Sequence, residues 1–327
     1  MKAAIYDRYG PPEVIRLTEV RKPEPKDDEI LIEIHATTVT AADWRLRSFD
    51  MPPGFKLMAQ LMFGFSRPRR PTILGMELSG KVAQAGARVT KFAVGDDVFA
   101  FDPHMGCNAE YKCMPETGTV VAKPASLSYG EAAALSFGGS TALSFFRRGA
   151  LEQGNKVLVN GASGGVGSAA VELAARYFGA DVTGVCSAAN VELVESLGAR
   201  RVIDYTREDF TREGERYDVI IDTAGTAPFA LCRGSLKAGG RLLQVVGGLG
   251  DLLKAPWYSL TSDCKVIIGP ASTRLEDLRL LADLAEQGTF KPFIDRRYSL
   301  DQIVDAHRYV DTRRKRGNVV VEVLADN

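Results

Sequence analysis

A short apolar strand that runs into a glycine-rich turn is the feature that most constrains this chain. Residues 156–160 read Lys-Val-Leu-Val-Asn, and residues 161–168 read Gly-Ala-Ser-Gly-Gly-Val-Gly-Ser. Glycines at 164 and 165 let the backbone approach phosphates, Gly167 lets the following helix pack close to the strand, and the helix amino terminus offers free N–H groups. The turn predicts a dinucleotide pyrophosphate site, although Ala162 replaces the first glycine of the usual pattern.

The residues that follow alternate between strand and helix patterns. A helix is predicted over 166–178, and its apolar face comprises Val166, Ala170, Leu173, Ala174 and Tyr177. Apolar strands are predicted at 180–186, 202–205, 218–222, 241–246 and 265–268, with helical patterns at 190–197 and 227–236. This alternation is typical of an α/β fold with a Rossmann doubly wound parallel sheet, which holds a nucleotide at its switch point.

The end of the second strand indicates which nucleotide binds. An acidic residue there would accept hydrogen bonds from the ribose hydroxyls and repel a 2′-phosphate, but this chain has Ser187. Asn190, Arg200, Arg201 and Tyr205 are further candidate partners of that phosphate. NADPH is therefore favoured over NADH. The alternative is that Ser187 caps the helix near Asn190, and the two roles are compatible.

Composition sets the limits on other classes of function. The 327 residues predict two domains, and 41 basic against 41 acidic residues leave no net field for nucleic acid. The basic run at 313–316 is expected to be a solvated helix end. We expect a cytoplasmic protein with no membrane partner, because no apolar run has membrane length and no signal peptide is recognisable. The five cysteines are widely spaced, which favours reduced thiols.

The two ends of the chain predict a second domain. Strand patterns occur at 3–6, 14–17, 30–37, 78–86 and 98–101. Helices are predicted at 274–287 and 300–312, and a closing strand at 318–323 is expected to return to the amino-terminal domain. Residues 1–124 and 270–327 would form a β-rich domain and residues 125–269 the nucleotide domain, with the cofactor in the cleft between them.

Taken together, these motifs resemble a known family. They are Gly75-Met76-Glu77-Leu78-Ser79-Gly80, Val-Gly-Asp-Asp-Val at 94–98, Ala-Glu-Tyr at 109–111, the glycine turn, Leu-Gly-Ala at 197–199, Val-Ile-Asp-Tyr at 202–205 and Gly-Asn-Val-Val at 317–320. Their order resembles the medium-chain dehydrogenase/reductase superfamily, in particular its zinc-independent quinone oxidoreductase and enone reductase branch. The resemblance implies a GroES-like substrate domain beside the Rossmann domain, direct hydride transfer from NADPH, and a homodimer.

The residues at the expected zinc positions argue against a metal. Alcohol dehydrogenases of the superfamily carry Gly-His-Glu, but here the triplet is Gly75-Met76-Glu77, and a thioether is a poor zinc ligand. The other ligand positions fall near residues 40–43 and near Phe137, and neither offers a thiol. Cys107 and Cys113 are too few for a structural zinc lobe. We therefore predict no metal site.

Without a Lewis acid, simple alcohol oxidation is disfavoured. Hydride addition to a small electron-poor acceptor, either a quinone or the β-carbon of an α,β-unsaturated carbonyl, needs less assistance. The protein must then hold the nicotinamide against the acceptor and exclude water. Two alternatives stay open, which are an NADPH-binding structural or sensing protein with little turnover and an alcohol dehydrogenase-type activity.

Candidate acceptor-side residues follow from the resemblance. Asp43 and Trp44 are the catalytic candidates, because related chains have Asn-Pro-x-Asp there, although Asp43 would also serve as a helix cap. Thr141 would bond the nicotinamide or its ribose, or its own helix backbone. Trp257 and Tyr258 would form an aromatic lip at the cleft, or pack ordinarily.

Residues 49–71 are the most individual segment of the chain. Phe49, Met62 and Phe63 are candidates for the substrate cleft, since adaptable Met and Phe side chains suit flat apolar acceptors. A basic cluster at Arg67, Arg69 and Arg70 follows. The alternatives are a short helix packed on the substrate domain and a dimer contact. The full set predicted to bind the cofactor is Thr141, Ser163, Gly164, Gly165, Val166, Gly167, Ser187, Asn190, Tyr205, Thr223, Ala224, Val246, Gly247, Ile268, Gly269 and Asn318.

Overall fold

A computed structural model of the chain describes residues 1–69 and 72–324. Arg70 of the predicted basic cluster and Pro71 lie outside the described residues. The chain divides into two compact units. Unit 1 comprises Met1–Met51, Lys56–Phe137 and the chain from Thr273 onward, and unit 2 comprises Pro52–Phe55 and Gly138–Ser272.

Unit 1 is rich in β-strands, as predicted. Its strands are β1 (Lys2–Tyr6), β2 (Arg16–Glu19), β3 (Glu29–Thr38), β4 (Thr72–Ile73), β5 (Glu77–Ala85), β6 (Asp97–Phe101), β7 (Tyr111–Pro115), β8 (Val120–Ala122), β15 (Ile294–Ser299) and β16 (Asn318–Glu322). The main sheet has the order β15-β16-β3-β5-β6-β8, with β7 also paired to β3, and a smaller sheet has the order β2-β1-β4. Sequence patterns missed the short strands β4, β7 and β8, and also β15.

The closing strand returns to the amino-terminal sheet, which confirms that prediction. β16 pairs antiparallel with β3, and Val320 lies opposite Thr38. The helices of unit 1 are α1 (Ala41–Ser48), α2 (Lys56–Phe63), α3 (Tyr129–Ala133), α9 (Leu275–Glu286) and α10 (Ile303–Asp311). One face of α10 packs Ile303, Ala306 and Val310 into the same core as Val319 and Val321 of β16, because those residues recur at helical spacing.

Unit 2 contains a parallel sheet. Its strands are β9 (Lys156–Asn160), β10 (Asp181–Cys186), β11 (Arg201–Asp204), β12 (Tyr217–Asp222), β13 (Leu236–Gln244) and β14 (Lys265–Ile268). The sheet order is β11-β10-β9-β12-β13-β14 and each neighbouring pair is parallel. This is the doubly wound order, which confirms the predicted fold class.

The helices of unit 2 differ more from prediction. They are α5 (Gly165–Glu172), α6 (Val191–Ser196), α7 (Phe229–Cys232), α8 (Leu249–Thr261) and the part of α4 (Ser136–Arg148) from Gly138 onward. The α-helix predicted to reach residue 178 becomes a π-helix over Leu173–Tyr177. Because a π-turn holds more residues than an α-turn, Tyr177 is rotated off the apolar face and is exposed.

Helix α8 was not predicted at all. Glycine at 248 and 250 and Pro256 interrupt the local pattern, yet the helix begins where the Asp251 carboxylate accepts a hydrogen bond from the Gly248 N–H at 2.9 Å. Within the described part of the chain, no helix combines the length and apolar character needed to cross a bilayer.

The basic run at 313–316 is only partly the solvated helix end that was expected. Arg313, Arg314 and Arg316 are exposed, whereas Lys315 turns inward. Its ammonium donates to the carbonyl of Gly317 at 2.6 Å, and burial lowers the pKa of Lys315 to about 8.

Candidate active site

The glycine turn lies at the switch point of the parallel sheet in unit 2. β9 ends at Asn160, between β10 and β12, and its side-chain amide donates to Asp222 Oδ1 at 2.8 Å and to Thr226 Oγ1 at 2.9 Å. Asp222 is fully buried and also accepts from the backbone N–H groups of Gly225 and Ala227, each at 2.9 Å. This network fixes the carboxyl ends of the two central strands.

Glycine is required in the turn for packing. A Cβ atom on Gly167 would lie 2.0 Å from the carbonyl oxygen of Gly161, so only glycine lets α5 pass this close to the turn. Gly161 itself has a φ of +81°, in the left-handed region that favours glycine. Gly138 of α4 is similarly constrained, because its Cβ would lie 2.6 Å from the carbonyl oxygen of Gly165.

The start of α5 is arranged to receive an anion. Gly164 is the N-cap residue and supplies no side-chain cap, so the first-turn N–H groups have no partner within the helix. A Cβ on Gly164 would meet, among the described residues, just the Gly161 carbonyl oxygen at 3.5 Å. The protein therefore leaves open the space in front of these N–H groups, as a bound phosphate requires.

Three predicted cofactor residues from two loops come together beside this turn. The Asn190 side-chain amide donates to Ser163 Oγ at 3.0 Å and to Ser187 Oγ at 3.3 Å. Ser187 precedes a 3₁₀ turn over Ala188–Asn190 but makes no side-chain cap to it. The capping alternative for Ser187 is therefore wrong, and its hydroxyl belongs to a polar corner formed with Ser163 and Asn190.

Two of the predicted phosphate partners lie at the wrong edge of the sheet. Arg201 pairs in register with Thr183, three residues before Cys186, so it lies about 10 Å from the carboxyl end of β10. Its guanidinium binds Glu213 at 2.6 Å, and Arg200 lies 3.8 Å from Asp181. Both arginines line a cavity of about 350 Å³ at the amino edge. Neither arginine side chain therefore reaches the polar corner of Ser163, Ser187 and Asn190.

Tyr205 does lie at the correct edge. Its backbone N–H donates to the carbonyl of Cys186 at 3.0 Å, and its side chain is exposed. Arg207, two residues further on, is an exposed cation in the same loop, 3.9 Å from Asp204. Arg207 was not among the predicted partners of the phosphate, although its position just after the third strand of the sheet indicates such a role.

The remaining residues predicted to bind the cofactor lie at the ends of three strands of the parallel sheet, in helix α4 and in unit 1. Thr223 and Ala224 follow β12, and the Thr223 hydroxyl donates to the carbonyl of Asn160 at 2.8 Å. Gly247 follows β13 with Val246, and its Cβ would lie 2.4 Å from Ile268 at the end of β14, just before Gly269. Thr141 is buried in α4. Asn318 lies in unit 1, where its side-chain amide donates to the carbonyl of Phe293 at 3.1 Å.

In unit 1, Asp43 has a structural role in place of the predicted catalytic one. Its Oδ2 accepts from the backbone N–H and the hydroxyl of Thr40, both at 2.7 Å, and its Oδ1 accepts from the Gly75 N–H at 2.8 Å. The carboxylate is fully buried, and burial raises the pKa of Asp43. Both oxygens are occupied and shielded from solvent, and Asp43 caps α1, which confirms the alternative role predicted for it.

Trp44 and its neighbour Arg45 are more accessible. The Arg313 guanidinium lies 4.4 Å from the Trp44 ring centroid and binds Asp50 at 2.5 Å. Arg45 lies 5.3 Å from the same ring and forms no hydrogen bond or ion pair within residues 1–69 and 72–324. Partial burial lowers the pKa of Arg45. It is an available donor that sequence analysis missed, although it directly follows Trp44.

The predicted substrate-cleft residues are divided between the two units. In unit 1, Phe49 is the left-handed C-cap of α1 with its ring 4.2 Å from Tyr9, while Met62 and Phe63 lie exposed on α2. In unit 2, Trp257 projects from α8 into solvent, whereas the Tyr258 ring lies 4.8 Å from that of Phe229 in the core. The prediction that Tyr258 forms an aromatic lip with Trp257 is therefore wrong, because successive residues of a helix point in different directions.

The residues at the expected zinc positions do not fit a zinc ion. Met76 packs against an apolar core, and Thr40 caps α1. Glu77 is buried; its Oε1 accepts from the Phe137 N–H at 2.5 Å and its Oε2 from the Thr38 hydroxyl. Burial raises the pKa of Glu77 to about 7. Among the residues described, no cluster of three His, Cys, Asp or Glu side chains could hold a metal ion.

Comparison with known proteins agrees with this architecture. A family profile described as alcohol dehydrogenase GroES-like domain matches residues 26–145, and one described as zinc-binding dehydrogenase matches residues 197–321. The chain is 32% identical to a 2-methylene-furan-3-one reductase from Solanum lycopersicum, over 99% of this chain and 79% of that protein. It is 30% identical to a chloroplastic quinone-oxidoreductase homolog from Spinacia oleracea, over 98% of each.

A solved structure extends the likeness to three dimensions. The quinone oxidoreductase from Coxiella burnetii superposes with a TM-score of 0.87 at 28% identity, over 99% of each chain. The sheet order, the glycine turn and these relatives together identify a pyridine-nucleotide-dependent enzyme. The chain belongs to the medium-chain dehydrogenase/reductase superfamily and is an oxidoreductase whose homologues are quinone oxidoreductase and enone reductase-like proteins.

Proposed function

We propose that this chain is an NADPH-dependent, zinc-independent reductase of quinones or α,β-unsaturated carbonyl compounds. The observation that carries the proposal is the polar corner of Ser163, Ser187 and Asn190 beside the glycine turn. It presents hydroxyl and amide groups where an NADH-specific site presents a carboxylate. A 2′-phosphate would meet hydrogen-bond donors there and no opposing charge from the end of β10.

The chain's own residues account for cofactor binding. The first-turn N–H groups of α5 would hold the pyrophosphate, and Ser187, Asn190, Tyr205 and Arg207 would surround the 2′-phosphate. When bound, NADPH supplies a hydride. Asp204, at the end of β11, accepts hydrogen bonds from the Thr206 N–H at 3.0 Å and the Thr206 hydroxyl at 2.8 Å, and the Arg207 guanidinium lies 3.9 Å from it.

The class of acceptor follows from the groups that could assist the reaction. Met76, Thr40 and the Glu77 carboxylate provide no site for a Lewis acid, so the acceptor must carry its own electron-withdrawing group. Hydride adds to the β-carbon of an enone, the C=C pair moves to form an enolate, and the α-carbon then takes a proton from solvent. We propose that Arg45 of α1, whose guanidinium has no hydrogen bond or ion pair among the described residues, donates to the oxygen that becomes negative.

The test is turnover with labelled NADPH. NADPH deuterated at the transferred position should place deuterium on the β-carbon of a reduced enone, and NADPH absorbance should fall steadily with a quinone or a small enone. NADPH binding without turnover of any electron-poor acceptor would favour a structural or sensing protein. Rapid oxidation of simple alcohols with NADP⁺ would contradict the reductase assignment. The homodimer and the cytoplasmic location remain predictions.

A further inference from the structure

Helix α2 exposes almost all of its apolar side chains. Within Lys56–Phe63, the buried residue is Ala59. The large apolar side chains of α2 and the turn after it have fractional exposures between 38% and 63%. These residues are Leu57, Met58, Leu61, Met62, Phe63 and Phe65. A contiguous set of this size on a short helix marks an interaction surface, because scattered single exposures do not cluster in this way.

The turn that follows α2 holds this surface in place. The Gly64 N–H donates to the carbonyl of Gln60 at 2.9 Å, and the Arg69 N–H donates to the carbonyl of Phe63 at 3.0 Å. The Arg69 guanidinium donates to the carbonyl of Leu61, and the Tyr9 hydroxyl to that of Gly64 at 3.3 Å. Gly64 has a φ of +118°, which lets the chain fold back on the helix. The apolar side chains are therefore displayed by an ordered turn.

The charged residues of the segment that contains α2 have one sign. No Asp or Glu occurs from Met51 to Met76, whereas Lys56, Arg67, Arg69 and Arg70 fall in this range of a chain whose total charge is zero. Lys56, Arg67 and Arg69 are exposed. Apolar side chains flanked by cations complement a bilayer whose headgroups are anionic and whose acyl chains begin just beneath them.

We propose that α2 and the turn through Arg69 form a docking surface for an anionic lipid bilayer. A second copy of the chain is the main competing occupant. A two-fold contact through this surface would bring the cations of both copies into one interface, with no carboxylate between 51 and 76 to neutralise them. Lipid phosphates neutralise the same charges. This differs from the expectation of no membrane partner that composition alone suggested.

The proposal is independent of the reductase assignment, and its test needs neither cofactor nor acceptor. The full chain is sedimented with phosphatidylcholine vesicles that contain or lack phosphatidylserine. The variants are Leu57→Gln/Leu61→Gln for the apolar part and Lys56→Gln/Arg67→Gln for the charge. The control is Leu253→Gln/Leu260→Gln on α8, whose two leucines are 71% and 84% exposed. All six side chains are exposed, so each variant should fold with native circular dichroism.

We expect the native chain and the α8 control to bind the anionic vesicles alike, within about twofold, and each α2 variant to bind at least about tenfold more weakly. Added salt should release the native chain, because headgroup attraction is screened. Absence of binding to anionic vesicles, equal binding to vesicles without phosphatidylserine, or loss of binding in the α8 control as large as in the α2 variants would overturn the proposal. A native dimer that the α2 apolar variant separates, with no vesicle binding by the native chain, would assign the surface to a second copy.

Discussion

Two glycines of the nucleotide turn should respond in opposite ways to the same substitution. In Gly167→Ala the new Cβ would lie 2.0 Å from the Gly161 carbonyl oxygen, so α5 would have to move away from the turn by more than an ångström. In Gly164→Ala the Cβ would meet that oxygen at 3.5 Å, an ordinary contact, and Gly164 has a φ of −79° that alanine adopts freely. The first change therefore perturbs packing, while the second adds a methyl group in front of the free N–H groups.

The magnitudes follow from these distances. Overpacking of this kind lowers the free energy of unfolding by about 1–3 kcal/mol. The higher helix propensity of alanine at position 167 offsets about 1 kcal/mol of that loss. At about 2–4 °C per kcal/mol, Gly167→Ala should lower the midpoint of unfolding by up to about 8 °C. Gly164→Ala should leave it unchanged or raise it slightly, because it reduces the freedom of the unfolded chain by about 0.4–1 kcal/mol.

Cofactor binding should separate the two variants further. Gly164→Ala should weaken NADPH binding at least about tenfold, or about 1.4 kcal/mol, since its methyl group occupies the approach to the pyrophosphate. The assay is thermal unfolding of each variant with and without NADPH, together with titration of protein fluorescence. Native NADPH affinity in Gly164→Ala, or a midpoint of unfolding for Gly167→Ala above that of Gly164→Ala, would contradict this prediction.

Four further predictions concern charge and metal. The native chain should bind NADPH at least about tenfold tighter than NADH, and Ser187→Asp should reverse that order by repelling the 2′-phosphate; titration of both cofactors tests this, and equal native affinities would contradict it. Arg45→Gln should lower kcat/KM for an enone by about tenfold or more with NADPH affinity unchanged, whereas Arg313→Gln, whose cation is paired with Asp50, should have a small effect. Burial raises the pKa of Glu77 from 4.5, the usual value for a glutamic acid, to about 7, so between these pH values the folded chain holds a proton that the unfolded chain has released. The free energy of unfolding therefore falls as pH rises through that window. Glu77→Gln should thus unfold at a higher temperature than the native chain above pH 7 and at a similar one below pH 4.5, and a constant offset across this range would count against the assignment. Metal analysis should find no stoichiometric zinc and chelators should leave turnover unchanged, because Met76 and its neighbours supply no suitable ligands.

The local features of the nucleotide fold could be predicted from the sequence alone. The glycines of residues 161–167 and the apolar strands around them depend on backbone sterics and burial that act over a few residues, so their pattern is readable in one dimension. Gly167 has the packing role expected of it, and the closing strand at 318 returns to the amino-terminal sheet. The spacing of apolar residues did not predict helix α8, because Pro256 and the glycines at 248 and 250 interrupt the helical pattern.

Which side chains share a site depends on the three-dimensional fold. Asn190 reaches Ser163 because parallel strands bring two loops to one edge of the sheet, and strand direction sends Arg201 to the other edge. Asp43 is occupied by Thr40 and by the Gly75 N–H, which is 32 residues away along the chain, and no local pattern reports that contact. The exposure of α2 is likewise invisible in sequence, because apolar residues look the same whether a fold covers them or leaves them for a partner.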